Sequence, residues 1–216
     1  MRHWPSIMPP LLNISGINMI YYDEMERDAL NRDIPIMQKQ GILFVINQLN
    51  EIQAHSLIEI GSAIGYSSLM MASNVNDLFI DTIELNADRY NEALDNIHHY
   101  HYDDKIHIHL DNALTFNCDK LKCESYDCLF IDGPKAQYQK FFEKYVPYVK
   151  EDGIIIVDNL DFHGMVYNIE NIKNRNTRQL VRKIKRFKDW ITSHPDYETT
   201  YYHIGDGIYV IRRKLL

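Results

Sequence analysis

Hydrophobic positions near the start of the chain recur at helical spacing. This pattern predicts one helix over 15–31 and a second over 36–51, with a break at Pro35 between them. The second helix places Leu43 and Ile46 near one apolar stripe, which is typical of a helix packed against the edge of a sheet.

From residue 56 onward, short apolar runs alternate with amphipathic segments. The runs predict strands over 56–60, 79–84, 105–110, 126–131 and 153–157. The segments between them predict helices over 65–73, 87–99 and 138–149. Strands that alternate with helices indicate βαβ units, so we expect an α/β fold with a mostly parallel sheet and helices on both faces.

The C-terminal third predicts one more helix and a hairpin. Apolar residues follow helical spacing at Leu180, Ile184, Phe187 and Ile191. Two alternating runs, 197–203 and 208–213, are joined by Gly205-Asp206-Gly207, a typical hairpin turn. We therefore expect seven strands with an antiparallel C-terminal pair, in a single domain over 1–216 that consists of a helical cap (1–54) and a core (55–216).

Charge is distributed unevenly along the chain. The formal net charge of −7 argues against a protein that binds nucleic acid over its whole surface. The segment 173–188, however, contains eight basic residues and no acidic one, so it carries +8 and the other residues carry −15. An acidic body with one basic face for a polyanion is compatible with this distribution.

Cysteine content and hydropathy bear on the compartment. The three cysteines, Cys118, Cys123 and Cys128, are an odd number, and the chain begins without a secretory leader pattern. No run of 18 apolar residues is present. We expect reduced, structural thiols in a cytoplasmic protein that has no membrane partner.

Polar and glycine residues follow the ends of the first three predicted strands. Gly61 and Gly65 form a G-x-x-x-G turn, which differs from the G-x-G-x-x-G of dinucleotide-binding proteins. Glu84 ends the second strand, where an acid can accept the hydroxyls of a ribose. Asp111, Asn112 and Ala113 follow the third strand and are candidates for contact with an adenine. A turn that binds no ligand remains the alternative.

The next two strands end in candidate metal ligands. Asp132 closes the fourth predicted strand, and Asp158 and Asn159 close the fifth. Two carboxylates and an amide oxygen suit Mg²⁺, or Mn²⁺ or Ca²⁺, and a bound metal would lower the pKa of a substrate hydroxyl. Lys135 is close enough in sequence to Asp132 to remove the proton or to stabilise the oxyanion. Helix capping by the acids is the structural alternative.

A rival metal site consists of histidines. His107 and His109 alternate along a predicted strand and therefore face the same side, where they could share a zinc ion. His98, His99 and His101 lie nearby in sequence, but no further soft ligand stands at a fixed spacing.

Several motifs, in the right order, resemble the catechol and caffeoyl-CoA O-methyltransferase family. The segment 57–68, with sequence LIEIGSAIGYSS, resembles the first motif of the family, and 126–166 is similar to its bacterial branch. Within that branch the chain looks closest to the tRNA 5-hydroxyuridine methyltransferases, which modify the wobble uridine. The resemblance runs from about residue 32 to the C-terminus and implies a Rossmann-like methyltransferase fold.

The resemblance also implies roles for individual residues. It implies S-adenosylmethionine (SAM) as cofactor, an O-methyl transfer reaction, Lys135 and Asp132 as catalytic residues, and a metal held by Asp132, Asp158 and Asn159. The implied cofactor contacts are Met37, Gly61, Ser67, Glu84, Asn112, Ala113 and Asp132. Gly133-Pro134 stands where relatives often have two small residues, and Asn112 stands where they often have an acid.

The basic segment favours a tRNA anticodon region as substrate. Arg178, Arg182 and Lys185 share the helix face opposite the apolar residues, and Arg175 precedes them, so these four are candidate phosphate contacts. A solvated helix face is the alternative for the segment. For the function, the alternatives are a small-molecule O-methyltransferase and a non-catalytic nucleotide-binding or RNA-binding domain.

The N-terminal helices carry apolar residues that suggest an interface. A surface through which a homodimer could form is indicated by Met19, Ile20, Tyr21, Tyr22 and Met25. A lid or a domain cap is the alternative role for these helices.

Overall fold

The structure, a computed structural model, describes residues 19–214. Its helices are α1 (Asp23–Asn31), α2 (Lys39–Glu51), α3 (Tyr66–Asn74), α4 (Ala87–His99), α5 (Tyr138–Tyr145) and α6 (Arg175–Thr192). Its strands are β1 (Ser56–Ile60), β2 (Phe79–Glu84), β3 (Ile106–Leu110), β4 (Tyr126–Ile131), β5 (Val149–Val157), β6 (Tyr197–Tyr202) and β7 (Ile208–Arg213).

The seven strands form one sheet in the order β3-β2-β1-β4-β5-β7-β6. The first five are parallel, β7 is antiparallel to β5, and β6 is antiparallel to β7. The predicted α/β Rossmann-like architecture with an antiparallel C-terminal hairpin is therefore confirmed. Chain order reverses between β1 and β4, and ligands of open α/β sheets bind outside the carboxyl ends of the strands at such a point.

Apolar side chains alternate between the two faces of the sheet and build two core layers. On one face, Leu57 and Phe130 belong to a cluster with residues of α2, α3 and α4. On the other face, Ile58 and Ile131 pack with residues of α5 and α6. Because β1 and β4 are buried on both faces, their carboxyl ends are held rigidly beneath the crevice.

Several predicted boundaries differ from the structure, and the second helix begins at Lys39 rather than at residue 36. The helix predicted over 138–149 ends at Tyr145, because Pro147 cannot continue an α-helix and the chain forms a 3-10 turn there. Strand β5 consequently starts at Val149 rather than at residue 153. The first helix begins at Asp23, and the part of its prediction over 15–18 lies outside the described residues.

The predicted N-terminal apolar surface is only partly exposed. Ile20 and Tyr21 are exposed, but Tyr22 and Met25 are each 7% exposed and belong to the core of the chain, so the exposure predicted for these two residues was wrong. They are buried because Tyr22 packs edge-on against Tyr100 and Met25 lies on the inner face of α1. Among residues 19–214, no helix has the length and apolar character needed to cross a bilayer.

Candidate active site

The turn after β1 requires glycine at two positions. Gly61 has φ +95° and Gly65 has φ +83°, a region that other residues avoid. A Cβ at Gly61 would lie 2.8 Å from the carbonyl oxygen of Asp132. Gly61 thus lets the backbone at the end of the first strand approach that of the fourth, Gly65 lies against Ala93 of α4, and α3 begins immediately after the turn.

Glu84 is held at the end of β2 by two backbone amides. Its Oε2 accepts a hydrogen bond from Ala63 N at 3.0 Å, and its Oε1 accepts one from Asn86 N at 2.8 Å. The side chain is buried beneath the crevice. Each carboxylate oxygen retains a further lone pair, so Glu84 is a fixed acceptor for two ligand hydroxyls.

Sequence reasoning missed the role of Glu59, the acid inside β1. Its carboxylate is fully buried and accepts hydrogen bonds from Ser67 Oγ at 2.5 Å and from Ser68 Oγ. Burial raises the pKa of Glu59, and the two serine hydroxyls oppose the shift. Glu59 therefore fixes the first turn of α3 against the sheet. The sequence feature that could have revealed this role is an acidic residue in the middle of an otherwise apolar strand.

The segment after β3 forms a compact turn. Asn112 Oδ1 accepts a hydrogen bond from Leu114 N at 2.9 Å, and Asp111 Oδ1 accepts one from Asn112 N at 2.7 Å. The Asn112 oxygen is therefore already engaged locally. The neighbouring Asp111, predicted with Asn112 and Ala113 as a candidate adenine contact, also borders the crevice.

The strand ends surround one cavity of about 570 Å³, which is ample for a nucleoside-sized ligand. All predicted cofactor contacts line it, together with Lys135 and Asn159. The predicted contacts in its wall are Met37, Gly61, Ser67, Glu84, Asn112, Ala113 and Asp132. Residues that the prediction omitted include Tyr66, Arg89 and Phe141.

The three predicted metal ligands lie together at the ends of β4 and β5. Asn159 Nδ2 lies 2.9 Å from Asp132 Oδ1 and 2.9 Å from Asp158 Oδ2. Asn159 has φ +61°, a conformation that Asn tolerates better than most residues. A 180° turn of its amide exchanges nitrogen for oxygen and gives an all-oxygen donor set, which is what a hard divalent cation prefers.

The electrostatics of this group also fit a cation. Burial raises the pKa of Asp132, the adjacent Asp158 raises it further, and Lys135 opposes the shift. Burial likewise raises the pKa of Asp158. Asp158 Oδ1 is buried and has no hydrogen-bond partner among residues 19–214. The buried carboxylate of Asp158, with its unused oxygen, and the half-buried carboxylate of Asp132 are stabilised by a positive charge placed between them.

Two residues that the sequence reasoning did not select support this group. Tyr138 OH donates a hydrogen bond to the carbonyl oxygen of Asp158 at 2.8 Å, so α5 fixes the end of β5. Asp206, in the hairpin turn, accepts a hydrogen bond from His163 N at 2.5 Å. The Asp206 carboxylate contributes to the raised pKa of Asp158, so the β6–β7 turn adds negative charge beside the site.

Lys135 lies in the cavity wall, although the Gly133-Pro134 pair before it differs from the two small residues that relatives often have there. It opens a 3-10 turn over Lys135–Gln137 that follows Pro134, and its side chain is half-buried in the cavity wall. Its Nζ lies 5.9 Å from the centre of the Phe162 ring.

The basic helix α6 packs beside this turn. Val181, Ile184 and Phe187 are buried, and α6 contacts the Lys135–Gln137 turn. Its outer face exposes the predicted residues Arg175, Arg182 and Lys185 together with Arg186. Arg178 differs from these, because its guanidinium donates to the carbonyl oxygen of Ile172 through Nε at 2.9 Å and Nη2 at 2.5 Å.

The histidines of the rival site lie away from the cavity. His98, His99 and His101 are exposed at the end of α4. His107 and His109 share the carboxylate of Asp81 on the neighbouring strand. The three cysteines are free thiols, and Cys128 is buried.

Known proteins resemble this chain over most of its length. The family model for O-methyltransferases matches residues 15–214. A protein of Arabidopsis thaliana provisionally named a caffeoyl-CoA O-methyltransferase is 31% identical over 84% of this chain and 78% of its own length. The tapetum-specific methyltransferase 1 of the same plant is 30% identical over 80% of this chain and 76% of its own length.

Solved structures share the fold. A protein of Staphylococcus aureus, also provisionally named a caffeoyl-CoA O-methyltransferase, has a TM-score of 0.85 and 33% identity over 89% of this chain and 91% of its own. An O-methyltransferase of Bacillus cereus solved with SAH has a TM-score of 0.75 and 22% identity over 89% of this chain and 90% of its own, a likeness of fold alone. The chain therefore belongs to the O-methyltransferase family.

Proposed function

We propose that the chain is a SAM-dependent, divalent-metal-assisted O-methyltransferase that methylates the 5-hydroxyl of 5-hydroxyuridine at the tRNA wobble position, giving 5-methoxyuridine. The single observation that carries the RNA substrate is the exposed, arginine-bearing outer face of α6, a helix that packs beside the turn of Lys135 in the cavity wall. Phosphate contacts by such residues supply affinity for nucleic acid.

The cavity supports SAM as the methyl donor. Glu84 offers two fixed carboxylate oxygens to the ribose hydroxyls, and the glycine turn lets the backbone approach the ligand closely. Asn112 and Ala113 line the cavity, where they would contact the adenine, and Met37 lines it where the methionine end would lie. When bound, SAM supplies an electrophilic methyl group.

Asp132, Asp158 and Asn159 would hold Mg²⁺, or Mn²⁺ or Ca²⁺, beside this donor. Their fit rests on the all-oxygen donor set and on the unpartnered oxygen of Asp158. A metal here lowers the pKa of a coordinated hydroxyl and fixes its orientation. The O5 and O4 atoms of 5-hydroxyuridine form a neighbouring oxygen pair, as the two hydroxyls of a catechol do.

Lys135 is the chain's own group for the substrate proton. Its Nζ can take the proton from the substrate hydroxyl as a free amine, or it can stabilise the oxyanion as an ammonium. Comparing the pH–rate profile of Lys135→Ala with that of the parent distinguishes the two roles, because loss of a base removes the acidic limb of the profile, whereas loss of a required ammonium removes the alkaline limb.

The direct test is methyl transfer from labelled SAM to total tRNA that lacks the wobble methoxy group. We expect labelling with Mg²⁺ and none with EDTA. Asp132→Asn should reduce labelling by at least about 100-fold, because loss of one charge stabiliser at the reacting group costs on the order of 3 kcal/mol. Glu51→Gln, an exposed change at the end of α2, is the matched control and should retain activity.

Small-molecule substrates give the contrasting outcome. Labelling of a catechol or of caffeoyl-CoA, with none of the tRNA, would retain the chemistry and reject the RNA substrate. Full activity of Asp132→Asn, or labelling that persists in EDTA, would reject the metal-assisted site.

We also propose that the chain acts as a homodimer, with Ile20, Tyr21 and Leu30 at or near the contact because these large apolar side chains are exposed. Light scattering should give twice the protomer mass of 25.6 kDa. A monomer at micromolar concentration would reject this assembly.

A further inference from the structure

Two histidines and one aspartate converge on one face of the sheet, outside the cavity. His107 and His109 lie on the edge strand β3, and Asp81 lies opposite His107 on β2. Asp81 Oδ1 is 3.0 Å from His107 Nδ1 and 2.8 Å from His109 Nε2. One oxygen and two imidazole nitrogens therefore surround the same point.

Hydrogen bonds to its second carboxylate oxygen hold Asp81 in place. Its other oxygen, Oδ2, accepts hydrogen bonds from Lys122 N at 3.0 Å and from the hydroxyl of Tyr126. The Asp81 side chain is fully buried, and these two donors leave Oδ1 directed at the histidines. Supporting hydrogen bonds of this kind orient carboxylate ligands in metal sites.

The histidines combine a fixed ring with an accessible one. The side chain of His109 is 9% exposed, and its ring packs edge-on against Phe116 with centroids 4.8 Å apart. The side chain of His107 is 39% exposed, so one side of the cluster faces solvent. An ion can enter from that side, and a water molecule can complete its coordination.

The spacing of the donor atoms suits a small transition-metal ion. Zinc binds imidazole nitrogen and carboxylate oxygen at about 2.0–2.2 Å in tetrahedral geometry, which separates neighbouring ligand atoms by roughly 3.3 Å. The two O···N distances need to open by only a few tenths of an ångström. All three donors already lie within 4.8 Å of one another.

We propose that Asp81, His107 and His109 bind Zn²⁺ or a similar borderline transition-metal ion, with water as the fourth ligand. Two imidazoles favour such an ion over Mg²⁺, whereas the oxygen-rich group at Asp132 has the opposite preference. The two sites are separate, because Asp81 precedes Glu84 by three residues on β2, or about 10 Å along the strand.

The bound ion would join the edge of the sheet to its interior. It ties β3 to β2 and, through Lys122 and Tyr126, to the connection that leads into β4. Binding to the folded protein alone stabilises it by mass action, so the melting temperature should rise with zinc concentration. The role is structural and leaves methyl transfer to the cavity.

The test is a calorimetric titration of ZnCl₂ into protein stripped with EDTA, in the presence of excess Mg²⁺. We expect one site in the parent chain and at least a 10-fold loss of zinc affinity in His107→Gln and in His109→Gln. The matched control is His98→Gln, which removes an exposed histidine that is 3.2 Å from Asp103 but belongs to no three-ligand cluster within residues 19–214. Asp132→Asn should also keep the site.

A second readout is the visible absorption of Co²⁺ substituted for zinc, which should be lost in the His107 variant and kept in the His98 variant. Because His107 is at the rim, its variant should fold even if the His109 variant does not. Zinc binding that is absent from the parent, equal in His107→Gln, or lost only in Asp132→Asn would overturn the proposal.

Discussion

Gly61 and Gly164 both adopt positive φ, but only Gly61 is crowded by neighbouring atoms. At Gly164 a Cβ would meet nothing within 4 Å, whereas at Gly61 it would lie 2.8 Å from the Asp132 carbonyl oxygen. We expect Gly164→Ala to cost about 1 kcal/mol of unfolding free energy through backbone strain alone. We expect Gly61→Ala to cost about 2–4 kcal/mol, since a steric clash adds to similar strain.

Urea unfolding of the two variants measures this difference, and calorimetry with SAM measures its functional consequence. Gly61→Ala should also weaken SAM binding, because relief of the clash separates the strand ends that line the cavity. Equal stability losses in the two variants would contradict the close approach at Gly61.

Asp127 should make stability depend on pH in the acid range. Its carboxylate accepts hydrogen bonds from His55 N and Ser56 N and pairs with Lys150 at 2.6 Å. Burial opposes ionisation, but the Lys150 hydrogen bond and the other donors outweigh it, so the pKa of Asp127 is lowered. A lowered folded-state pKa gives stability that is present above the unfolded value of about 3.9 and is lost as pH falls below it.

Asp127→Asn removes this contribution. We expect it to cost about 1–2 kcal/mol at pH 7, because a charged acceptor is replaced while most of the shape is kept. The difference in unfolding free energy between variant and parent should shrink between pH 5 and pH 3. A difference that stays constant with pH would show that the charge of Asp127 does not matter.

At the scale of elements, the spacing of apolar residues and the identity of the turn residues were sufficient to predict most of the helices and strands. The ranges of β1, β2, β4, β7 and α4 match the predicted ranges, because each is bounded by a change of period or by a turn residue. The predicted end of α5 was wrong because the prediction followed the apolar pattern, which continues past Pro147. The proline, which cannot continue an α-helix, ends the helix earlier.

The candidate site likewise contains some residues that could be predicted from the sequence and others that could not. Residues at strand ends, such as Glu84 and Asp132, could be selected because parallel strands bring their carboxyl ends to one edge. Asp81 as partner of the histidines could not be selected, since strand register and side-chain contacts depend on tertiary packing. Asp206 lies far along the chain from Asp158 and reaches it only because β7 inserts beside β5.

Helix α6 separates a packing face from a charged face, and each should respond differently to mutation. Phe187 is 2% exposed and packs against Tyr138 and Trp190. Phe187→Ala should therefore cost about 3–5 kcal/mol of unfolding free energy. Lys183→Ala, on the exposed face of the same helix, is the control and should change stability by no more than about 0.5 kcal/mol. Similar losses in thermal or urea unfolding would contradict the assignment of faces.

At the scale of the whole molecule, an acidic body carries one basic helix. The segment 173–188 has +8 and the remaining residues −15, so RNA should approach along α6 and be repelled elsewhere. Arg175, Arg182 and Arg186 are exposed and lie seven and four residues apart, which aligns them along one side of the helix. Contacts between such a line and phosphates release counterions and make affinity depend on salt.

Changing Arg175, Arg182 and Arg186 together to glutamine should flatten that dependence. If all three contact phosphates, the slope of log K against log salt should decrease in magnitude by about 2, at roughly 0.7 per contact for single-stranded RNA. Fluorescence anisotropy with an anticodon stem-loop between 50 and 200 mM salt measures the slope, and SAM binding should be unchanged. A slope equal to that of the parent would show that the three arginines are solvated and do not contact phosphates. Loss of SAM binding as well would show that the changes disturbed α6 rather than its RNA contacts.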